Sequence, residues 1–326
     1  MNPVGIDVAA KEFVAEILRH GRVEQATFTN DASGHRKAIK WMTRRGQGAR
    51  VCLEATGVYS LALALALHRA KAVDVMVANP KATRKFAEAR MVRAKTDAVD
   101  AHIIREYLCA MAFVAWVPPC PQVLELQGVT RRIGQLKKER TRERNRLHAA
   151  QAEGPTAKLV ARDIGLHITQ LERRIERLTD SGLALIHADE HMRETLEIIV
   201  STPGIANTSA LQLMGELLTL SSDMRAPQWV AYAGIDPRPV ESGTSIKKLR
   251  RISKQGNVHL RAALYMPALV AAHHDPHVMA FYNKLVEQGK APLQALVAVM
   301  RKLLHALWGM LHSRTPWDGE KFYRLT

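Results

Sequence analysis

The sequence is short of cysteine, of acidic residues and of long apolar runs, and each shortage excludes something. Three cysteines in 326 residues (Cys52, Cys109 and Cys120) are an odd number without metal-ligand spacing, so a disulfide framework is not expected and the thiols read as reduced. The longest apolar run, Tyr107 to Val117, falls short of the ~20 residues that a helix needs to span a bilayer. The opening stretch, Met1 to Ala10, lacks a basic segment followed by an apolar one, so no signal peptide and a cytoplasmic location are expected. Asp plus Glu number 31 against 47 Lys plus Arg, a net charge of +16 that calls for a polyanionic partner. A membrane surface also attracts such charge, but no basic amphipathic terminus with aromatic anchors is present. A hydrophobic content of 47% excludes global disorder.

What is present is unevenly distributed. Residues 1–118 alternate β-like runs (Val4–Val8, Phe13–Leu18, Gln25–Thr29, Val51–Leu53, Val73–Ala78 and Phe113–Val117) with helical ones (Gly34–Arg44, Tyr59–Lys71, Pro80–Glu88 and Asp97–Met111). Three successive strands followed by alternating strands and helices predict an α/β unit, a mixed sheet with helices packed on it. The Pro-rich segment Trp116–Pro121 marks its end. Residues 119–190 predict a helical hairpin with a coiled-coil pattern. Leu126, Val129, Ile133 and Leu136 step by three and four, as do Ile164, Ile168, Leu171, Ile175 and Leu178, and Glu153–Thr156 breaks the helix between them. The first arm carries Arg131, Arg132, Lys137, Lys138, Arg140, Arg142, Arg144 and Arg146, of which the last three and Arg140 alternate and so wrap around the helix. The run reads as a nucleic-acid contact or, more plainly, as a solvated helix face. Residues 191–326 are mainly helical with glycine-containing turns.

Four carboxylates in the first domain carry the chemistry. Asp7 lies inside the apolar run Val4–Val8, and Glu54 ends the run Val51–Glu54; a carboxylate so placed is costly unless paired or metal-bound. Asp97 and Asp100 open a helical stretch three residues apart and so face the same way. Hard divalent ions take carboxylate and phosphate oxygens, and two of them ~3.5–4 Å apart clamp the attacking and leaving oxygens of a phosphodiester. Each carboxylate has a plainer account: Asp97 and Asp100 as an N-cap and its N3 partner, Glu54 as a strand end, Asp7 as the partner of an arginine. As a set, strand Asp, strand Glu and helix Asp-x-x-Asp resemble the metal site of ribonuclease-H-like nucleases of the RuvC type.

In the C-terminal part, Ser201–Met214 resembles a helix-hairpin-helix, whose Pro203–Gly204 turn would present backbone amides to a phosphate. Ala206 stands where that element has its second glycine, and a plain inter-helix turn is the alternative. A loop from Pro237 to about Gly256 holds Ser242, Thr244 and Ser245 around Gly243, followed by Lys247, Lys248, Arg250, Arg251 and Lys254. A serine hydroxyl needs activation. No His or Asp in the loop offers it, so carboxylate-bound metal is the simplest activator; the alternative is a basic loop that only grips phosphate.

Gly5-Ile6-Asp7, Glu54-Ala55-Thr56-Gly57, Lys95-Thr96-Asp97-Ala98-Val99-Asp100-Ala101, Thr202-Pro203-Gly204-Ile205, Glu241-Ser242-Gly243-x-Ser245 and the stretch from Ser253 to Pro267 occur in one order along the chain. Together they resemble the DEDD-type insertion-sequence transposases (insertion-sequence family one-ten), which are related to Piv-type site-specific invertases. The resemblance implies an RNase H-like (RuvC-like) domain over 1–118, a coiled-coil connector over 119–190 and a C-terminal transposase domain with helix-hairpin-helix and serine loop over 191–326. It implies a recombinase that cuts and rejoins DNA, with Asp7, Glu54, Asp97 and Asp100 holding Mg²⁺ (or Mn²⁺) in a two-metal site and Ser242 forming a phosphoserine link. Nucleic-acid contacts are expected from Arg131, Arg132, Lys137, Lys138, Arg140, Arg144, Gly204, Lys247, Lys248, Arg250, Arg251 and Lys254. Expected partners are element-end and target DNA, a guide (bridge) RNA encoded by the element, and further copies of the chain as a dimer or dimer of dimers; nucleoid association follows. With a guide RNA, base pairing selects sequence, in keeping with an aromatic content of 5% that leaves few rings for stacking on bases.

Two other functions fit part of the pattern: a RuvC-like nuclease or junction resolvase in which water attacks, and a non-enzymatic nucleic-acid-binding protein. Zinc at His273, His274, Asp275 and His277 is discounted, because the spacing matches no four-ligand set. Trp308 and Trp317 read as packing residues and His102 as a surface histidine.

Overall fold

The computed structural model describes residues 1–55, 57–92, 96–238, 241–242, 246–247 and 251–325, with the side chains of Val58, Pro155, Thr156, Glu241, Ser242, Ile246 and Lys247 outside that description. Contacts divide the chain into two compact units, Met1–Pro118 and Pro119–Thr326.

Unit 1 is a mixed five-stranded sheet. Strands β1 (Asn2–Val8), β2 (Glu12–Arg19) and β3 (Arg22–Thr29) form an antiparallel meander, and β4 (Ala49–Glu54) and β5 (Val73–Ala78) add in parallel, giving the order β3-β2-β1-β4-β5. The period-2 alternation of β1, β2 and β4 sends Val4, Ile6, Phe13, Ala15, Ile17, Val51 and Leu53 to one core. That core is shared with helices α1 (Ala32–Met42) and α2 (Val58–His68) through Ala38, Met42, Leu63 and Leu67. A smaller cluster of Cys52, Met76 and Ala78 meets Ile104 and Leu108 of helix α4 (Asp97–Ala110). Helix α3 (Pro80–Ala89) starts at Asn79, whose side chain accepts from the Lys81 N–H, and has Pro80 in its first turn. The expected strand at Phe113–Val117 does not form. That segment makes one backbone bond to β5, from the Trp116 N–H to the Val75 carbonyl.

Unit 2 is helical. Helices α5 (Pro121–Ala152) and α6 (Lys158–His187) form a long hairpin, whose seam joins Leu126, Ile133 and Leu136 to Leu171 and Ile175. Helices α7 (Glu190–Val200), α8 (Asn207–Leu217), α9 (Ala226–Ala233), α10 (Val258–His274), α11 (Pro276–Glu287), α12 (Pro292–Ser313) and α13 (Gly319–Phe322) complete it, and one hydrophobic core runs from the hairpin into these helices. Among the described residues no helix is long and apolar enough to cross a membrane.

Candidate active site

β1 and β4 run parallel with Ile6 opposite Leu53. The next residues, Asp7 and Glu54, therefore stand at the carboxyl ends of adjacent strands and share a sheet face. Helix α4 crosses that face in close contact with β1. A Cβ on Gly5 would lie 2.2 Å from the Ala101 carbonyl oxygen and 2.3 Å from the Arg105 nitrogen. The glycine two residues before Asp7 thus lets the helix carrying Asp97 and Asp100 approach the strand. Burial pushes the Asp7 carboxyl up to about 6, and Asp100, Asp97 and Glu54 push it in the same direction, against one lowering hydrogen bond from the Val8 backbone. The four sequence-predicted carboxylates therefore sit within one another's electrostatic field. Burial also raises Glu54, opposed by the Thr83 hydroxyl that donates to its Oε1 and aided by Asp100.

The capping account of the acidic pair does not hold. Thr96 is the N-cap of α4, its Oγ1 accepting from the Val99 N–H at 3.3 Å, while Asp97 and Asp100 follow it in the first turn. Among the described residues no arginine figures among the groups that shift Asp7. Clustered carboxylate oxygens suit a divalent cation. Among the described residues, however, no three His, Cys, Asp or Glu side chains already stand at ligand spacing.

Beneath the site, α4 is tied to the meander by a buried ion pair that the sequence reading overlooked. Arg105 donates from Nε to Glu16 Oε1 at 2.8 Å, and their side chains are 4% and 6% exposed. His102 Nδ1 meets the same oxygen at 2.8 Å, so this residue is engaged with β2. Gln25 of β3 donates from Nε2 to the Ala98 carbonyl at 3.0 Å, between the two aspartates in sequence.

In unit 2 the expected open loop after Pro237 is organised by backbone pairing. β6 (Pro237–Arg238) pairs antiparallel with β9 (Arg251–Ile252), and β7 (Glu241–Ser242) with β8 (Ile246–Lys247). The register places Arg238 opposite Arg251 in the first pair and Ser242 opposite Ile246 in the second. Ser242 thus occupies a ladder position; Thr244, Ser245, Lys248 and Arg250 lie outside the described residues. The neck is closed by Ser253, whose N–H donates to the Asp236 carbonyl at 2.9 Å, and by the Lys254 N–H donating to the Gly234 carbonyl at 3.0 Å.

Behind the neck is Glu216, 1% exposed. It accepts two bonds from Arg131, Nε to Oε1 at 2.8 Å and Nη2 to Oε2 at 3.0 Å, and one from Asn257 Nδ2 at 2.6 Å. Asn257 in turn caps α10. Arg131 thus forms a fork on Glu216 while its side chain stays 40% exposed. Of the alternating arginines, Arg140 and Arg144 lie 3.8 and 2.7 Å from Glu172 of α6, and both Arg142 and Arg144 are exposed. Arg132 bonds Gln135 one turn along α5.

A transposase family profile matches residues 4–152, and the profile described as "Transposase IS116/IS110/IS902 family" matches residues 196–283. The chain belongs to the IS110 family of transposases. The chain is 28% identical to a "Pilin gene-inverting protein" of Moraxella bovis over 97% of both chains, and equally so to its namesake of Moraxella lacunata. It is 30% identical to an "Insertion element IS900 uncharacterized 42 kDa protein" of Mycobacterium paratuberculosis over 37% of this chain and 30% of that one. It is thus an enzyme of the class that cleaves and rejoins DNA.

In this transposase Gly204 sits in the turn between α7 and α8 with φ +84°, and a Cβ there would lie 2.6 Å from the Pro267 carbonyl of α10. Close helix packing requires a glycine here. The His-rich stretch is absorbed into structure: Asp275 caps α11 and accepts from Trp317 Nε1, and His277 Nδ1 meets the Tyr323 carbonyl. Trp308 Nε1 donates to the Met224 carbonyl.

Proposed function

We propose that this IS110-family transposase breaks and rejoins DNA through a phosphoserine intermediate at Ser242, with Mg²⁺ or Mn²⁺ held by Asp7, Glu54, Asp97 and Asp100. The observation that carries the reading is the convergence of those carboxylates at the ends of β1 and β4 and the start of α4, where burial first, and then Asp100, Asp97 and Glu54, raise Asp7 to about 6. When bound, the ions supply Lewis-acid stabilisation of the attacking and leaving oxygens. Ser242 Oγ loses its proton and forms a bond to phosphorus; the phosphodiester P–O bond breaks and the leaving oxygen takes a proton. Rejoining reverses the exchange: a strand hydroxyl attacks phosphorus and the serine is released. Lys247, Arg251 and Lys254 supply positive charge along the same hairpin, suited to the transferring phosphoryl group.

The reading includes an element-encoded bridge RNA that selects sequence by base pairing, and a dimer or dimer of dimers in which one subunit's carboxylates serve another's serine. The motif resemblance supports both. Likeness to the pilin gene-inverting proteins over nearly the whole chain supports inversion as the second reading of the outcome.

The test is a denaturing-gel assay for protein joined covalently to DNA, using element-end DNA, co-expressed flanking RNA and Mg²⁺. An adduct formed by the native protein and absent in Ser242→Ala and Asp97→Ala is expected. Mg²⁺-dependent nicks that survive Ser242→Ala, without any adduct, would replace the serine mechanism with hydrolysis.

A further inference from the structure

Between α5, α8 and α10 lies a cleft of about 200 Å³. Arg131, Gln135, Lys137, Lys138, Gln212 and His259 line it, and Glu216 forms its floor. The acid does not neutralise the cleft. Its oxygens are taken by the Arg131 fork, by Asn257 and by Gln127, so its charge is spent on residues already holding the neck together. Among the described residues neither the Lys137 nor the Lys138 amine has a hydrogen-bond or ion-pair partner. Lys137 is half-buried, and burial followed by the nearby Arg140 lowers its pKa, the signature of an amine that lacks an anion. Burial also lowers His259, as do Arg131 and Lys138, while Glu216 opposes them.

The cleft continues into a surface. Arg131, Gln135, Lys138, Arg142 and Arg146 follow at intervals of four, three, four and four residues, which places them on one stripe of α5. Lys138 and Gln135 belong to both the cleft and the groove along that stripe, which Arg142 and Arg146 line together with Glu139 and Glu143. Arg142 has no ionic partner among the described residues; Arg146 is paired with Glu143 one turn back and is exposed.

We infer that the α5–α8–α10 cleft is a seat for one phosphodiester of a nucleic-acid backbone, from which the strand continues along the α5 stripe. This rests on the reading of the protein as a nucleic-acid enzyme and adds a location, a stoichiometry of charge and named donors. Such a seat lies beside the closed neck of the hairpin that carries Ser242, because Asn257 joins Glu216 to the first turn of α10. DNA and RNA present the same phosphate, so the two are separated by the probe. An acidic protein segment presents carboxylates to the same amines and is the competing occupant.

The experiment measures the affinity of the full chain for a 30-base-pair duplex DNA and a 30-nucleotide single-stranded RNA, both of arbitrary sequence, from low to high salt. Variants are Lys137→Ala, Lys138→Ala, the double variant and, as a control on remote charge, Lys290→Ala. If duplex DNA occupies the seat, the slope of log K against log salt becomes shallower by about 0.9 per lysine removed; if RNA does, by about 0.7. The loss is the same for every sequence, and Lys290→Ala leaves the slope unchanged. Circular dichroism melts of the variants overlay the native curve, because neither amine holds a structural partner. Unchanged affinity and slope on both nucleic acids in the double variant, with native binding intact, overturns the seat while sparing the broader reading. Weakened binding of poly-glutamate alone assigns the cleft to a protein partner and also overturns it. Absence of salt-dependent binding by the native protein overturns the broader reading together with the seat.

Discussion

Gly5 on β1 touches Arg105 on α4 so closely that a methyl group between them would stand 2.3 Å from the Arg105 nitrogen. Alanine at this position must push the helix from the strand. Gly5→Ala is expected to cost about 1–3 kcal/mol, the range for overpacking a filled core. It moves Asp97 and Asp100 away from Asp7, and a displacement near 1 Å lowers activity on the order of 100-fold. Urea denaturation and a strand-cleavage assay measure the two effects. Native activity in Gly5→Ala would refute the role given to this contact.

Asp7 protonates at about 6 in the folded chain against 3.8 as its ordinary value. A raised carboxyl favours the folded state below its unfolded pKa, and that contribution is lost as pH rises from about 4 through 6. Two units would be worth about 3 kcal/mol, which screening at this half-exposed group reduces to about 1–2 kcal/mol. In the absence of divalent metal, Asp7→Asn should therefore stabilise the protein at pH 7.5 by about that amount and leave it unaltered at pH 4. Millimolar Mg²⁺ should raise the native melting temperature at pH 7.5 and not that of the variant. Thermal melts at the two pH values decide it.

Glu16 and Arg105 are buried together, so removing one leaves the other's charge in the core. Glu16→Leu and Arg105→Leu should each cost about 3–5 kcal/mol, whereas the double replacement costs less than either. Glu106 lies 2.8 Å from Arg105 and places Glu16→Leu at the low end. Denaturant titrations of the four proteins close the cycle; additive losses would show that the pair is not coupled. Gln25→Leu tests positioning at an exposed site: it removes the bond to the Ala98 carbonyl and a longer one, 3.4 Å, to Glu16 Oε2. It should weaken Mn²⁺ affinity severalfold with an unchanged melting temperature.

Cys52 is buried behind Glu54 and its thiol is pushed up to about 12, chiefly by burial and further by the Glu54 charge, while Cys109 and Cys120 are exposed. A thiol reagent at pH 8 should modify two sites rapidly in the native protein and the third after unfolding. Mass spectrometry of the labelled peptides reads this directly; rapid labelling of Cys52 would contradict the packing of α4.

Much of this was legible in the chain. The strands from β1 to β5 and helices α1 to α4 follow from alternation, apolar period and capping residues, and Asp7 and Glu54 stood out because a carboxylate in an apolar run needs a reason. The pattern misled at Phe113–Val117, where apolar content suggested a strand but the segment docks on β5 through a single bond. It was silent on the hairpin around Ser242, because two-residue ladders leave no periodicity in a run of Ser, Gly, Lys and Arg. The arginines of α5 show the same limit. Spacing put them around a helix, but their ion pairs with Glu172 and Glu216, remote in sequence, could not be read from it.

The sequence by itself determined the elements, the α/β then α division, the excess positive charge and the motifs of the transposase family, since these rest on local preference and on composition. Tertiary structure decided which charges meet. The parallel register of β1 and β4, the approach of α4 over Gly5 and the burial of Glu16 and Glu216 are long-range packing outcomes. The field of a carboxylate depends on distance through space, and neighbours in the chain do not fix it.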